Sequence, residues 1–365
     1  MRLLWNQAKA SLCSEKKVGL SGEKPEKLRL VDLLVSGKVP PRVSAILGRY
    51  KVDEVKCMTS VAKLTSTRQE MQRTDLTIRE RLRLHLCCPQ CHCAMKSMAA
   101  SESWQCPQCN RVAESHEGQI RCGGFTVSEV KSDWFNRLKE FVKRRMGTFY
   151  QLAIDWISPI YTGYRNRCIK AYLNSFNLQR EFVADLGSGP LRQSDNVLCC
   201  DGVNYENVDL VTDLEQLPIA GNSCDGIMSI AVLEHVTDPQ AHVAEIARVL
   251  KPGGRVLCFI PFVQGFHASP YDYQRYTCSG MRHLFRDFEI ISVEPADGPT
   301  SALIWTFQEW LAMALSLGIR PVYKAIFPLT YILSPLKLLD VALRHHPMAL
   351  NITSSIVIQA RKPQQ

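Results

Sequence analysis

The sequence predicts an α/β domain built on a mostly parallel sheet in its second half, preceded by a small four-cysteine module. Three observations carry that expectation. From residue 181 onward, short apolar runs alternate with helical patterns. The run Val183-Ala184-Asp185-Leu186-Gly187-Ser188-Gly189-Pro190 places glycines where a strand has to turn sharply and let a ligand approach its backbone. Upstream, Cys88-Pro89-Gln90-Cys91 and Cys106-Pro107-Gln108-Cys109 form two C-x2-C pairs separated by 14 residues.

Composition sets the bounds. The 365 residues are 46% hydrophobic and 22% charged, which is globular, and the length fits two domains better than one. The net charge of +9 is uneven: residues 1–182 carry +14 and residues 183–365 carry −5. A basic first half suits a phosphate-rich partner, nucleic acid or an anionic membrane face, and equally suits a solvated basic segment. Residues Met1–Lys9 hold no apolar run of signal-peptide length. Fifteen cysteines then read as thiols or metal ligands in a reducing, cytoplasmic compartment rather than as a disulfide framework.

Taken in order, residues 1–80 show no sustained period of either kind and read as a basic, poorly ordered segment. Residues 84–125 contain the cysteine pairs. Four thiolates on two tight turns suit a structural Zn²⁺, with Cys88, Cys91, Cys106 and Cys109 as ligands; Cys87, Cys93 and Cys122 are spare, so the set could shift by one. Residues 132–180 read as a helical linker beginning at an N-cap, Ser132, with Trp134, Leu138, Phe141 and Phe149 on one stripe.

The sheet domain covers 181–362, with candidate strands at 181–186, 196–201, 208–213, 224–231, 255–262, 287–294 and 352–361. Asp238 and Pro239 open its best helix, whose apolar stripe runs through Val243, Ile246, Ala247 and Leu250 before Gly253-Gly254 ends it. Only short loops fit after the first two strands. Between the last two, residues 299–350 form a hydrophobic insertion in which Ala302–Ile319 carries Glu309 as its sole charge. Packing over the sheet or forming a dimer interface is the first expectation for it and attachment to a membrane surface the second, its interruptions suiting lying on a membrane better than crossing it.

Asp201 ends the second strand, where a carboxylate can accept both hydroxyl protons of a ribose, and Asp213 ends the third. Then follow Leu217-Pro218, Cys224-Asp225-Gly226-Ile227, Val232-Leu233-Glu234-His235-Val236 and Arg248-Val249-Leu250-Lys251-Pro252-Gly253-Gly254. With these motifs in order from about 183 to 290, the chain resembles the type 11 family of class I S-adenosylmethionine-dependent methyltransferases. The resemblance implies a Rossmann-like seven-stranded sheet with an antiparallel last strand. It also implies that Asp185, Gly187 and Gly189 surround the methionine part of S-adenosyl-L-methionine, that Asp201 holds the ribose, that Asp213 and Leu214 border the adenine, and that Ala231 presents backbone near the amino group. The four-cysteine segment resembles the zinc ribbons of small methyltransferase-activator proteins.

Some related methyltransferases place a metal at Glu-x-x-Glu-His. Here Ala231 stands where the first carboxylate would be, so Glu234 and His235 read as a strand end or a substrate-facing pair with no metal. The reacting side chains are sought instead in the loop after the fifth strand, Pro261 to Thr277, which gathers His, Asp, Arg and three Tyr at the carboxyl end of the sheet. His267 is the candidate base, with Asp272 and Arg275 as substrate-binding or loop-fixing residues. The expected reaction is methyl transfer to a small or lipid-linked metabolite. RNA methylation through the ribbon and the basic half, and cofactor binding without turnover, are the alternatives.

Overall fold

The computed structural model describes residues 76–98, 102–122, 156–267 and 271–364. The expected poorly ordered segment up to residue 75, and the expected Ser132-capped helix, lie outside the described residues.

In chain order the elements are α1 (Ile78–His85), β1 (Lys96–Ser97), β2 (Ser103–Gln105), β3 (Val112–His116), β4 (Gln119–Cys122), α2 (Gly163–Asn174), β5 (Val183–Leu186), β6 (Val197–Asp201), β7 (Leu210–Val211) and β8 (Cys224–Ile230). There follow α3 (Pro239–Val249), β9 (Leu250–Pro261), α4 (Cys278–Leu284), β10 (Glu289–Pro295), α5 (Pro299–Ser316), α6 (Arg320–Ile326), a 3₁₀ helix (Phe327–Leu339), α7 (Asp340–Leu343) and β11 (Ser355–Arg361).

The strands make one sheet in the order β1-β2-β3-β4-β7-β6-β5-β8-β9-β11-β10. Counted from Val183, its seven-stranded part has the order 3-2-1-4-5-7-6. β5 pairs in parallel with both β6 and β8, and β11 is antiparallel to both β9 and β10. β5 and β6 are buried along their whole length, as strands covered on both faces have to be. Because the chain runs outward in both directions from β5, a crevice opens beyond the carboxyl ends of β5 and β8. No helix intervenes between β5 and β6 or between β6 and β7.

The cysteine module is part of this sheet. β4 extends it by parallel pairing with β7, Ile120 opposite Leu210 and Arg121 opposite Val211. Leu82, Leu86 and Ile120 belong to the same core as Leu186 and Leu210. Asp209, almost wholly buried, is held by Arg79 Nε at 2.8 Å from one side and by Arg192 Nη2 at 2.7 Å from the other. Removing the module would expose an apolar sheet edge and leave that carboxylate half-paired.

One boundary differs from expectation. α3 ends at Val249 rather than at Gly253-Gly254, because the buried Leu250 pairs with Cys224 and already belongs to β9. Gly253 takes φ +78 within that strand, next to a shift in register. The start is as the residues dictate: Asp238 accepts from the backbone N–H of Gln240 and Ala241, with Pro239 at the first turn.

Candidate active site

The turn after β5 is built from two left-handed glycines, Gly187 at φ +71 and Gly189 at φ +61. A Cβ on Gly187 would lie 2.3 Å from Val232 Cγ2, so the turn presses against the segment after β8. A Cβ on Gly189 would meet nothing within 4 Å, so there the backbone faces open space. The backbone N–H of Gly189 donates to Asp201 Oδ2 at 2.8 Å, and that of Val203 donates to Oδ1 at 2.8 Å. Asp201 is thereby fixed at the lip of the turn with a second lone pair on each oxygen still available. Burial raises the Asp201 carboxyl above its ordinary value, and burial together with the Asp201 charge pushes Asp185 up to about 7.

Ala231, at the end of β8, is exposed and sits at φ +56, a conformation that costs energy for a residue with a Cβ. Ser188 Oγ is buried with no hydrogen-bond partner. Two desolvated carboxylates, an orphaned hydroxyl and an open glycine backbone fit a ligand bringing an ammonium group and a ribose diol, as S-adenosylmethionine does.

The Asp213–Leu214 loop is anchored by residues that sequence reasoning missed. The buried His242 of α3 reaches Leu214 O from Nδ1 at 2.8 Å and Ser229 Oγ from Nε2 at 3.1 Å, which assigns the proton to Nδ1. Burial lowers its pKa, which favours the neutral ring. Glu215 Oε1 accepts from the N–H groups of Thr237 and Asp238 and from Thr237 Oγ1. The only available signal was a histidine on the inward stripe of α3. Asp213 itself accepts from the N–H of Glu215, and burial raises its carboxyl.

His267 lies beside Glu234, which stands in the segment after β8 that also carries Val232. Its backbone N–H donates to Asp272 Oδ2 at 2.8 Å, and its Nδ1 faces Gly265 O at 3.1 Å, which leaves Nε2 toward Glu234 Oε1 at 3.7 Å. Glu234 is fully buried and neither of its carboxylate oxygens has a hydrogen bond. That carboxylate, partly opposed by burial, raises the His267 pKa. Asp272 and Arg275 meet each other in a two-pronged pair, Nη2 to Oδ2 at 2.6 Å and Nη1 to Oδ1, and Arg275 holds the Asp272 carboxyl down at about 2. Tyr273 N–H donates to Glu234 O, and Gln274 Nε2 donates to Leu233 O, so the loop is docked on the turn that carries Glu234.

The sequence predicts Glu234 and His235 to be a strand end or a substrate-facing pair without a metal. The structure adds His267 to that pair: one ligand atom from each of Glu234, His235 and His267 lies within 4.8 Å of the others. The distance along the chain hid this grouping. Trp305 of α5 packs on His267 with ring centroids 5.8 Å apart, closing the apolar side.

The four expected cysteine ligands come together at the other end of the sheet. Cys88 and Cys109 Sγ are 3.3 Å apart, as are Cys91 and Cys106, and all four lie within 4.8 Å. Tetrahedral zinc with bonds of about 2.3 Å needs edges of roughly 3.8 Å, a spacing the cluster meets with small shifts. The two knuckles repeat each other: His92 N–H donates to Cys88 O and Asn110 N–H to Cys106 O, with His92 and Asn110 both left-handed. Backbone N–H of Cys109, ahead of Gln108, pulls the Cys106 thiol down to about 6. Of the spare thiols, Cys87 and Cys122 are buried in the core, and Cys93 donates to Gln108 Oε1.

Residues 185–258 match the methyltransferase domain family described as Methyltransf_11. The malonyl-[acyl-carrier protein] O-methyltransferase of Hahella chejuensis is 36% identical over 85 residues, covering 23% of this chain and 29% of the relative. A ubiquinone biosynthesis O-methyltransferase of Cereibacter sphaeroides is 38% identical over 56 residues, covering 15% and 21%. The chain thus spans less than a third of the curated relatives it matches. Among solved structures, phosphoethanolamine N-methyltransferase 2 of Haemonchus contortus aligns at 20% identity with a TM-score of 0.37, covering 67% of this chain and 62% of that one. The fold rests on strand order and on the matched segment rather than on that alignment. Residues 185–258 are therefore similar to an S-adenosylmethionine-dependent methyltransferase domain, and they lie within the α/β sheet that runs from Val183 to Arg361.

Proposed function

We propose that this chain transfers a methyl group from S-adenosylmethionine to a hydroxyl of a small or lipid-linked metabolite. The observation that carries the reading is the His267–Glu234 pair, whose Glu234 follows by two residues the Val232 that packs against Gly187. The short matched relatives, both named as O-methyltransferases, point to the same acceptor class.

The cofactor would supply a methyl group already activated on a sulfonium, so the protein has to orient the acceptor and remove its proton. Gly187, Gly189 and Ala231 offer backbone, Asp201 the ribose contacts, Asp185 a carboxylate toward the ammonium group, and Asp213 with Leu214 the adenine border. His267 takes the acceptor's proton at Nε2. Glu234 stabilises the resulting imidazolium. Asp272 and Arg275 position His267 through their mutual pair and the Asp272 bond to its backbone. Zn²⁺ on Cys88, Cys91, Cys106 and Cys109 is structural in this reading, since four protein ligands leave no open position.

The test is incubation of the purified chain with methyl-labelled S-adenosylmethionine and a cell extract split into RNA, lipid and small-molecule fractions, beside Gly187→Arg. Label in the lipid or small-molecule fraction, lost in the variant, is expected. Label in RNA would transfer the reading to RNA methylation. Cofactor binding without label would indicate a scaffold, and no binding at all would overturn the assignment.

A further inference from the structure

The insertion between β10 and β11 has its polarity reversed. α5 runs out from the sheet, and α6 with the 3₁₀ helix returns beside it, ending near its start. On α5, Leu303, Phe307 and Trp310 follow one helical stripe and all three are exposed, and Leu317, just past the helix end, is 85% exposed. The buried side holds Ser301, Gln308 and Ser316 together with the small Ala302 and Ala312, and Ile304 is its one large apolar side chain. The returning segment repeats the pattern: Leu329 and Ile332 face outward, while Thr330, Ser334 and Asp340 are buried.

The buried polar groups bond between the two arms. Gln308 Nε2 donates to Thr330 O at 3.0 Å and Ser334 Oγ at 3.1 Å. Asp340 accepts from Thr300 N–H, Ser301 N–H and Ser301 Oγ at 2.7 Å each, capping the start of α5. Gly298 makes room for it, since a Cβ there would lie 2.1 Å from Asp340 Cγ. A helix pair in water puts apolar residues inside and polar ones outside. Small and polar residues in the seam with large apolar ones outside is how helices pack in lipid.

We infer that this hairpin is a monotopic anchor lying flat in the interface of a bilayer that contains anionic lipid. By length and composition Arg320–Leu343 could cross a membrane, yet only 22% of that stretch is buried in the protein. Crossing is disfavoured because both ends of the insertion return to the same sheet, and because Arg320 and Lys324, exposed at the far turn, would be carried into hydrocarbon. Lying flat lets both reach phosphates. Glu309 is tied to the Tyr323 hydroxyl and Asp340 is buried, so the charged side chains that the insertion fully exposes are cationic. The hairpin also touches the reaction loop: Trp305 packs on His267, and a Cβ on Gly265 would meet Trp305 Nε1 at 2.5 Å. The crevice therefore opens beside the proposed lipid face, where a membrane-borne acceptor would arrive.

Flotation of the full chain with vesicles tests this without any turnover, so its failure would leave the methyl-transfer reading untouched. The wild type is expected to float with phosphatidylcholine–phosphatidylglycerol vesicles. The Leu303→Gln/Phe307→Gln/Trp310→Gln variant should lose about tenfold or more in partitioning. Arg320→Glu/Lys324→Glu should lose binding to the anionic vesicles, by about fivefold per charge. Tryptophan quenching by brominated lipid in the wild type gives a readout independent of variant folding. A wild type that does not float with the phosphatidylcholine–phosphatidylglycerol vesicles, or shows no quenching, overturns the inference. So does a stable dimer by sedimentation velocity that no longer binds vesicles, which would make the face a contact between copies.

Discussion

Gly187 and Gly189 are separated by one residue and share a left-handed backbone, yet they should respond differently to a single methyl group. Either alanine pays about 1–2 kcal/mol for the positive φ. At Gly189 nothing further is met, because the space around its Cβ is open to 4 Å. At Gly187 the new methyl overlaps Val232 Cγ2 at 2.3 Å, and Val232 is buried, so the clash adds about 1–3 kcal/mol. Gly187→Ala should therefore melt below Gly189→Ala by roughly 4–8 °C, taking about 2 kcal/mol at the slope usual for a domain of this size. Binding should rank the two differently from stability. Gly189→Ala projects its methyl into the space assigned to the cofactor, and calorimetric titration with S-adenosylmethionine should show affinity weakened by about tenfold or more, or about 1.4 kcal/mol. Unchanged affinity in Gly189→Ala would refute the placement of the cradle. Equal melting of the two variants would refute the packing of the turn against Val232.

Three further outcomes are expected. If His267 must be neutral to accept a proton, kcat/KM rises with pH through its raised pKa; Glu234→Gln removes the largest cause of that elevation, so the rising limb should move to lower pH, and loss of wild-type activity to a chelator would point instead to a metal on Glu234, His235 and His267. His242→Ala leaves Leu214 O and Ser229 Oγ without their partner in a buried site, which should cost about 2–4 kcal/mol in denaturant unfolding and weaken cofactor binding beyond a stability-matched control. Elemental analysis should find one zinc per chain, lost in Cys88→Ser/Cys106→Ser, and removal should lower the melting temperature of the whole domain because β4 and β7 share a ladder; an unchanged melt would mean the thiol cluster is not a metal-supported edge.

Much of the scaffold was legible because its signals are local. Alternating apolar runs, the paired C-x2-C turns and the Asp238-Pro239 helix start each depend on backbone preferences within a few residues. The short loops after β5 and β6 followed from counting residues. The end of α3 did not, since Gly253-Gly254 looked like a helix stop while the ladder between Cys224 and Leu250 had already claimed the preceding residues for β9.

The site was legible in its parts and hidden in its pairings. Sequence by itself determined that a glycine turn flanked by Asp185 and Asp201 sits at a strand end, and that four cysteines lie on two equivalent turns. Only the tertiary structure decided that Glu234 faces His267 from 33 residues away. It also decided that Asp272 and Arg275 pair with each other beside His267, that the cysteine module is an edge of the main sheet, and that the insertion turns its apolar residues outward. Spacing along a chain specifies which face of one element a side chain occupies. Which two faces then meet depends on how distant elements pack, and a buried carboxylate such as Glu234 takes its role from whatever that packing places beside it.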